Sequence, residues 1–194
     1  WNQLKRDHQI DRPFILMVGL MKPHKRTELG LHLLKKVLEN VHGDCLLIHT
    51  GFLEDRFYRL FQAQVARLGL SAQIRVLGNV DAATLSCLFQ QAHFLFAPSA
   101  QEGFGLTILE AMMEGTPVLG FDLPWLSELG ADVALRAPEG DIDEASKLGL
   151  SLLGNVELRK HLSIRSRIHA GKYSWIAAAN QTLQIYERLV HGRA

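Results

Sequence analysis

The sequence predicts a doubly wound α/β fold, a parallel sheet covered by helices on both faces and followed by a helical tail. Three observations carry this. Short apolar runs alternate with helix-patterned stretches along almost the whole chain. A glycine-rich loop, Gln101-Glu102-Gly103-Phe104-Gly105, sits between one such run and a stretch of good helix formers. No internal repeat or low-complexity segment interrupts that order.

Residues 14–19 are the first strand, and after a basic loop a helix is expected over 28–41. Residues 45–49 form the second strand, closed by Gly51, and 55–68 the next helix. Residues 74–77 read as the third strand, with Gly78-Asn79 as its turn. Asp81 is placed to cap a helix running to about Gln91. Residues 94–97 and 117–120 are strands that bracket a central helix ending near Met112. A weaker strand at 133–135 follows a turn-rich segment with Pro124 and Gly130. From about Ile142 the chain is helical, broken near Gly154-Asn155 and at Gly171.

A chain of 194 residues can bury a substantial core. Its 47% hydrophobic and 21% charged residues are ordinary for a soluble globular protein. A net charge of +1 lacks the basic excess of a general nucleic-acid binder, so no nucleic-acid partner is expected. Cys45 and Cys87 lie in apolar stretches and read as buried free thiols of a reducing compartment. No apolar run approaches the roughly 18 residues of a membrane span, and no signal peptide is visible. A cytoplasmic protein is expected, and the start at Trp1 suggests a piece of something longer.

Open parallel sheets bind ligands in the crevice at the carboxyl ends of their strands. The loops that matter therefore start at Gly19, Thr50, Leu77 and Ala97. The first, Gly19-Leu20-Met21-Lys22-Pro23-His24-Lys25, lacks the Gly-x-Gly-x-x-Gly of dinucleotide-binding enzymes. No Gly-x-x-x-x-Gly-Lys-Ser/Thr loop occurs either, so both of those classes are set aside. Lys22, Lys25 and Arg26 crowd this first loop, where flexible cations could neutralise a diphosphate. A solvated basic loop is the plainer alternative.

The loop after residue 97 could present backbone N–H groups at a helix N-terminus to an anion. Glu102 lies in that loop and Glu110 eight residues on, inside the helix. A carboxylate accepts two hydrogen bonds from a vicinal diol, so the two could grip hydroxyls on either side of the anion. A sugar nucleotide offers that pattern, a diphosphate flanked by a ribose and a hexose. Against this stand an exposed helix surface for Glu110 and a solvated loop carboxylate for Glu102. Gly103 and Gly105 permit close backbone approach or positive φ, or simply lead the chain into the helix. Gly78 and Asn79 could face a nucleobase or form an ordinary turn. Of nine histidines, His24 lies in the basic loop, where it could meet a phosphate. The histidines show no metal-ligand spacing, and no Ser/His/Asp or Cys/His constellation is recognisable.

The run Pro-Ser-x-x-Glu-Gly-Phe-Gly-Leu-x-x-Leu-Glu-Ala-Met, from Pro98 to Met112, continues through Gly115, Pro117 and Val118. It resembles the nucleotide-sugar-binding half of family 4 retaining glycosyltransferases, enzymes of the GT-B fold. The resemblance extends from Val18-Gly19 to Tyr173-Ser174-Trp175 and implies a Rossmann-like sheet. Carried over residue by residue, it implies Glu102 on the hydroxyls of the transferred sugar, Glu110 on the ribose and Lys25 on the diphosphate. Gly103, Phe104, Gly105 and Leu106 would form the backbone cradle, with Gly19, Arg26, Gly78 and Asn79 completing the donor site. Lys25 and Glu102 would be the catalytic pair, and neither metal nor cofactor is implied. Two positions depart from the pattern. Leu20 stands where the family often has an arginine on the phosphates, and Arg26 where a glycine commonly follows the lysine. Arg26 could supply the missing charge.

The same resemblance implies that residues 1–194 are one donor-binding domain. A helix from about residue 172 would pack on an absent N-terminal half that holds a polysaccharide or glycolipid acceptor. The implied reaction transfers a hexose from a UDP- or GDP-sugar with retention, the first loop leaning mildly to mannose. The isolated chain would bind donor without transferring it. Peripheral attachment at the inner face of a membrane, through the absent half, is compatible with this. Two other functions fit the fold: a sugar-nucleotide epimerase, and a non-catalytic nucleotide-sugar-binding subunit, to which Leu20 points.

Overall fold

The computed structural model describes residues 1–40, 45–130, 132–190 and 192. At its centre lie six strands: β1 (Phe14–Val18), β2 (Leu46–Thr50), β3 (Ile74–Gly78), β4 (Phe94–Ala97), β5 (Val118–Phe121) and β6 (Ala134–Ala137). They run in the order β3-β2-β1-β4-β5-β6, every pairing parallel. Leu16 in β1 faces Ile48 in β2 on one side and Leu95 in β4 on the other. The apolar runs of β1, β2, β4 and β5 are buried almost end to end because both faces are covered. The edge strand β3 is only half-buried along its length.

A short helix, α1 (Asn2–Asp7), precedes the sheet. Helices α2 (Thr27–Asn40), α3 (Asp55–Leu68) and α7 (Ile142–Gly154) cover the face bearing Ile15, Met17, Leu47 and Phe121. Helices α4 (Ala82–Gln91), α5 (Leu106–Glu114) and α6 (Pro124–Gly130), with the end of α8 (Val156–Ala170), cover the face bearing Leu16, Ile48, Leu95 and Val118. Successive strand residues thus feed opposite cores. After β3 the chain returns to β4 beside β1. Parallel crossovers are right-handed, so reversing the direction of travel moves the following helices to the other face. That reversal opens a crevice between the carboxyl ends of β1 and β4. The last helix, α9 (Trp175–Val190), buries none of its residues.

Local chemistry sets the helix ends. Asp81 accepts the Thr84 N–H at 2.7 Å and starts α4. Asn155 accepts the Leu158 N–H at 2.9 Å and so ends α7 and starts α8 at one point.

Several sequence expectations change. The sequence pattern does not signal α1, which has no buried side chain and hence no apolar stripe. Segment 124–130, expected as turns, is a helix. Pro124 opens α6 at the first helical position, where a missing N–H costs nothing, and Leu126 and Leu129 fill the core. The last strand runs to Ala137 rather than stopping at Leu135, with Val133 buried just ahead of it. Cys45 is buried, its thiol pushed up to about 12 by loss of hydration, but Cys87 is only partly buried. The expected end, at Val41, of the helix over 28–41 lies outside the described residues. No helix among the described residues is long and apolar enough to cross a membrane.

Candidate functional site

Backbone bonds lace together the carboxyl ends of three strands. The Gly19 N–H donates to Thr50 O at 2.9 Å, and the Gly51 N–H to Gly78 O at 2.9 Å. Thr50 Oγ1 donates to the same Gly78 carbonyl at 2.7 Å. Gly51 has φ +132°, and a Cβ there would run into the Gly19 carbonyl. Glycine is required on both counts. Across the crevice, the Ala100 N–H donates to His24 O at 2.8 Å and ties the first loop to the glycine-rich loop. Both loops leave the sheet at β1 and β4, where the strand order reverses and open α/β sheets hold their ligands.

Lys25 and Glu102 meet in this crevice from opposite loops. A 3₁₀ turn over Pro23–Lys25, followed by Arg26 in the left-handed region at φ 48°, carries the lysine. Its Nζ donates to both Glu102 carboxylate oxygens, at 2.7 and 2.8 Å. The two side chains are only 17% and 18% exposed, so water screens the pair poorly. A Cβ built on Gly19 would lie 3.9 Å from Lys25 Nζ, which places the ammonium over the end of β1. A cavity of about 20 Å³ lined by both charged residues also touches Leu20, His49, Ser99 and Gly105.

Gly105 caps α5 at φ +86°, and its carbonyl takes the N–H groups of Ile108 and Leu109. The amides of Leu106 and Thr107 precede those bonds, at the electropositive end of the helix. Glu110 lies one turn further along α5, on its exposed side, and partial burial of its carboxyl raises its pKa. Phe104 and Leu106 are about half exposed. The Phe104 ring meets Tyr173 edge-on at 5.8 Å, and Tyr173 lies against His169 at 5.7 Å. His169 Nε2 is 2.6 Å from Leu129 O, so the junction of α8 and α9 braces the glycine-rich loop.

Every cation of the first loop faces a carboxylate from a different loop. Lys22 approaches Glu54, after β2, at 4.0 Å, and Arg26 pairs with Glu139, after β6, at 2.9 Å. The Arg26 guanidinium, expected beside Lys25, donates to Glu139 Oε1 at 2.9 Å in this structure. Sequence reasoning missed both acids, although each follows a strand by a few residues, the same edge rule that selects the cations. It also passed over His49, a histidine within an apolar strand. His49 is 1% exposed, and its Nδ1 has no hydrogen-bond partner among the described residues. Burial pushes its pKa down to about 4, so the imidazole is neutral at physiological pH. Of the remaining expected residues, Gly78 ends β3 at φ +67°, two strands from the ion pair, and Asn79 beside it is exposed. Gly103 is exposed within the loop. Among the described residues, no group of three or more His, Cys, Asp or Glu is arranged to hold a metal ion.

Residues 2–169 match the family model of glycosyl transferases group 1. The chain belongs to this family. One relative of this group 1 chain is the Escherichia coli O-antigen chain mannosyltransferase B, 31% identical over 179 residues. That alignment covers 91% of this chain and 46% of the relative. The group 1 chain spans about half the length of the curated relatives it matches. Among solved structures, sucrose-phosphate synthase from Thermosynechococcus elongatus superposes with a TM-score of 0.82 at 22% identity, over 99% of this chain and 49% of that one. Anabaena HepE in complex with UDP-glucose superposes with a TM-score of 0.79 at 21% identity, over 98% and 52% of the two chains. The shared fold is Rossmann-like, with glycosyltransferases of GT-B type as structural neighbours.

Proposed function

We propose that this chain is the donor-binding half of a retaining, family 4 type glycosyltransferase that moves a hexose from a nucleoside diphosphate to a polysaccharide or glycolipid. The observation that carries the reading is the Lys25–Glu102 pair, set at the switch point of the sheet beside the N-terminal end of α5. A sugar nucleotide presents ribose, diphosphate and hexose in that order. In this reading Glu110 takes the ribose, the amide end of α5 with Lys25 the diphosphate, and Glu102 the hexose. Gly19, Gly103, Phe104, Gly105 and Leu106 let the backbone approach the diphosphate, and the ends of β2 and β3, with Gly78 and Asn79, offer a place for the base.

In this reading Glu102 holds the hydroxyls of the sugar while its anomeric carbon acquires oxocarbenium-like charge. Lys25 and the α5 amides stabilise the negative charge that gathers on the departing diphosphate. A phosphate oxygen on the retained face then takes the acceptor proton. The charge that stabilises departure comes from side chains and helix dipole, and no cofactor is assigned to the step. A UDP- or GDP-hexose is the proposed donor; the mannosyltransferase among the relatives supports the hexose, and the UDP-glucose bound by a structural neighbour supports a nucleoside diphosphate carrier. The acceptor lies on the other half of the enzyme, against which α9 packs. Transfer then belongs to the longer protein, working in the cytoplasm or at the inner face of a membrane.

The test is a calorimetric titration of the chain with UDP, GDP, ADP and their hexose conjugates, beside Lys25→Ala. Selective binding that weakens about tenfold or more in the variant is expected, the effect of one charge-assisted contact. Equal affinity of the variant would remove Lys25 from the site. In the longer protein, Glu102→Ala is expected to lower transfer by about 100-fold or more, the loss typical of one preorganised polar group. Unchanged transfer would sink its assignment.

A further inference from the structure

We propose that Glu102 makes this site distinguish an intact sugar nucleotide from the bare nucleoside diphosphate left after transfer, by competing with the diphosphate for Lys25. The proposal rests on the donor-site reading and adds to it a basis for specificity and product release.

The argument begins with what Lys25 already holds. Two of its three ammonium protons go to the two oxygens of one carboxylate, at 2.7 and 2.8 Å, in a place where less than a fifth of either side chain is exposed. A diphosphate that is to use Lys25 meets that carboxylate first. If Glu102 stays, a second anion is brought within hydrogen-bond reach of the same ammonium, beside a like charge and with little water to screen it. If Glu102 turns away, a poorly hydrated carboxylate has lost its partner. Either course opposes the bare nucleoside diphosphate.

The intact donor changes the balance. Its hexose brings hydroxyl donors to the side of the diphosphate on which Glu102 lies. A carboxylate displaced from Lys25 then has new partners, and the cost of breaking the pair is offset. Once the sugar has moved to the acceptor, those hydroxyls leave with it. Glu102 returns to Lys25, and the nucleoside diphosphate loses its main cationic contact as it is due to depart.

The neighbouring cations also face carboxylates, through pairs more exposed than Lys25–Glu102. Lys22 faces Glu54 and Arg26 is bound to Glu139, so the first loop offers a diphosphate no unopposed cationic side chain among the three. Leu20, lining the same cavity and 37% exposed, adds no charge.

The experiment measures the affinities of UDP, GDP, UDP-glucose and GDP-mannose for the 194-residue chain by NMR titration, which reads dissociation constants into the millimolar range. Four forms are compared: wild type, Glu102→Gln, Lys25→Ala and the double variant, each checked for an unchanged amide fingerprint. Glu102→Gln keeps the shape of the side chain and removes the charge that competes. It is expected to tighten the bare nucleoside diphosphate by about five- to tenfold, the size of one half-buried ion pair, while the sugar nucleotide gains less or weakens. In the Lys25→Ala background, where only the direct repulsion between Glu102 and the diphosphate is left to relieve, the same substitution is expected to tighten the diphosphate by a clearly smaller factor. An unchanged or weaker diphosphate affinity in Glu102→Gln overturns the proposal. Equal tightening with and without Lys25 also overturns it, since general repulsion would then be acting rather than competition for the lysine. Both of those results leave the donor-site reading standing. Failure of every form to bind any of the four nucleotides removes that reading and this proposal together.

Discussion

The crevice edge between β1 and β4 and the terminal helix α9 are both rich in large apolar residues, and they end in opposite conditions. Phe14, Ile15, Leu16 and Met17 are at most 3% exposed, and the loops that follow them are tied across strands by backbone bonds. On α9, Trp175, Ile176, Leu183, Ile185, Tyr186, Leu189 and Val190 are all more than half exposed, and nothing is buried. An apolar pattern states that a surface should leave water. Whether it does depends on a partner, which β1 finds in its neighbouring strands and helices and α9 does not find among the described residues. In the proposed reading the other half of the enzyme supplies that cover.

The largest break in this contrast should come from the crowded edge. Gly51→Ala would force a side chain into φ +132° and against the Gly19 carbonyl. We expect a loss of about 2–4 kcal/mol from strain and overpacking together, read from urea unfolding. A loss under about 0.5 kcal/mol, ordinary for surface substitutions, would show that the loops do not approach as closely as the structure has them.

The second test uses pH at the same edge. Burial holds the His49 imidazole at about 4 rather than the ordinary 6.5. As pH falls below 6.5 the unfolded chain takes up a proton that the folded chain refuses. The stability tied to neutral His49 is therefore complete above that pH and declines until about pH 4, by at most about 3 kcal/mol. His93, also lowered by burial and by the nearby charge of Arg159, acts in the same direction. His49→Leu should flatten this acid limb when unfolding is compared at neutral and mildly acid pH. An equally steep limb in the variant would assign the decline to other groups.

The smallest effect is expected on the tail. Trp175→Ser combined with Leu189→Ser should change the stability of the chain by less than about 0.5 kcal/mol, because neither side chain is buried. The same variant should bind less of a hydrophobic dye. A stability loss of about 2 kcal/mol in thermal melts would mean that α9 is covered within this chain, and the contrast would vanish.

Much of this architecture was legible in the residues. Strands buried on both faces advertise themselves as continuous apolar runs, so β1, β2, β4 and β5 were readable to within a residue or two. The capping aspartate and the break at Gly154-Asn155 were readable because each is a local bond made by a side chain of known preference. Helix α1 was not, having no apolar stripe, and α6 was hidden behind a proline that reads equally as a turn. At the site, Lys25 and Glu102 could be nominated one at a time from loop position and motif. Their direct pairing, 77 residues apart, could not.

By itself the sequence determined which segments must be buried and the loop pattern that marks the group 1 family. Those properties depend on near neighbours in the chain: periodicity, turn residues, and the order of strands and helices. Only the tertiary structure decided that Lys25 would be held by Glu102, that Arg26 would turn to Glu139, and that His49 would sit neutral under the sheet edge. It also decided that α9 would be left uncovered. Charge pairing and desolvation act through space, and the loops that supply the partners meet only once the strands between them have been put in order.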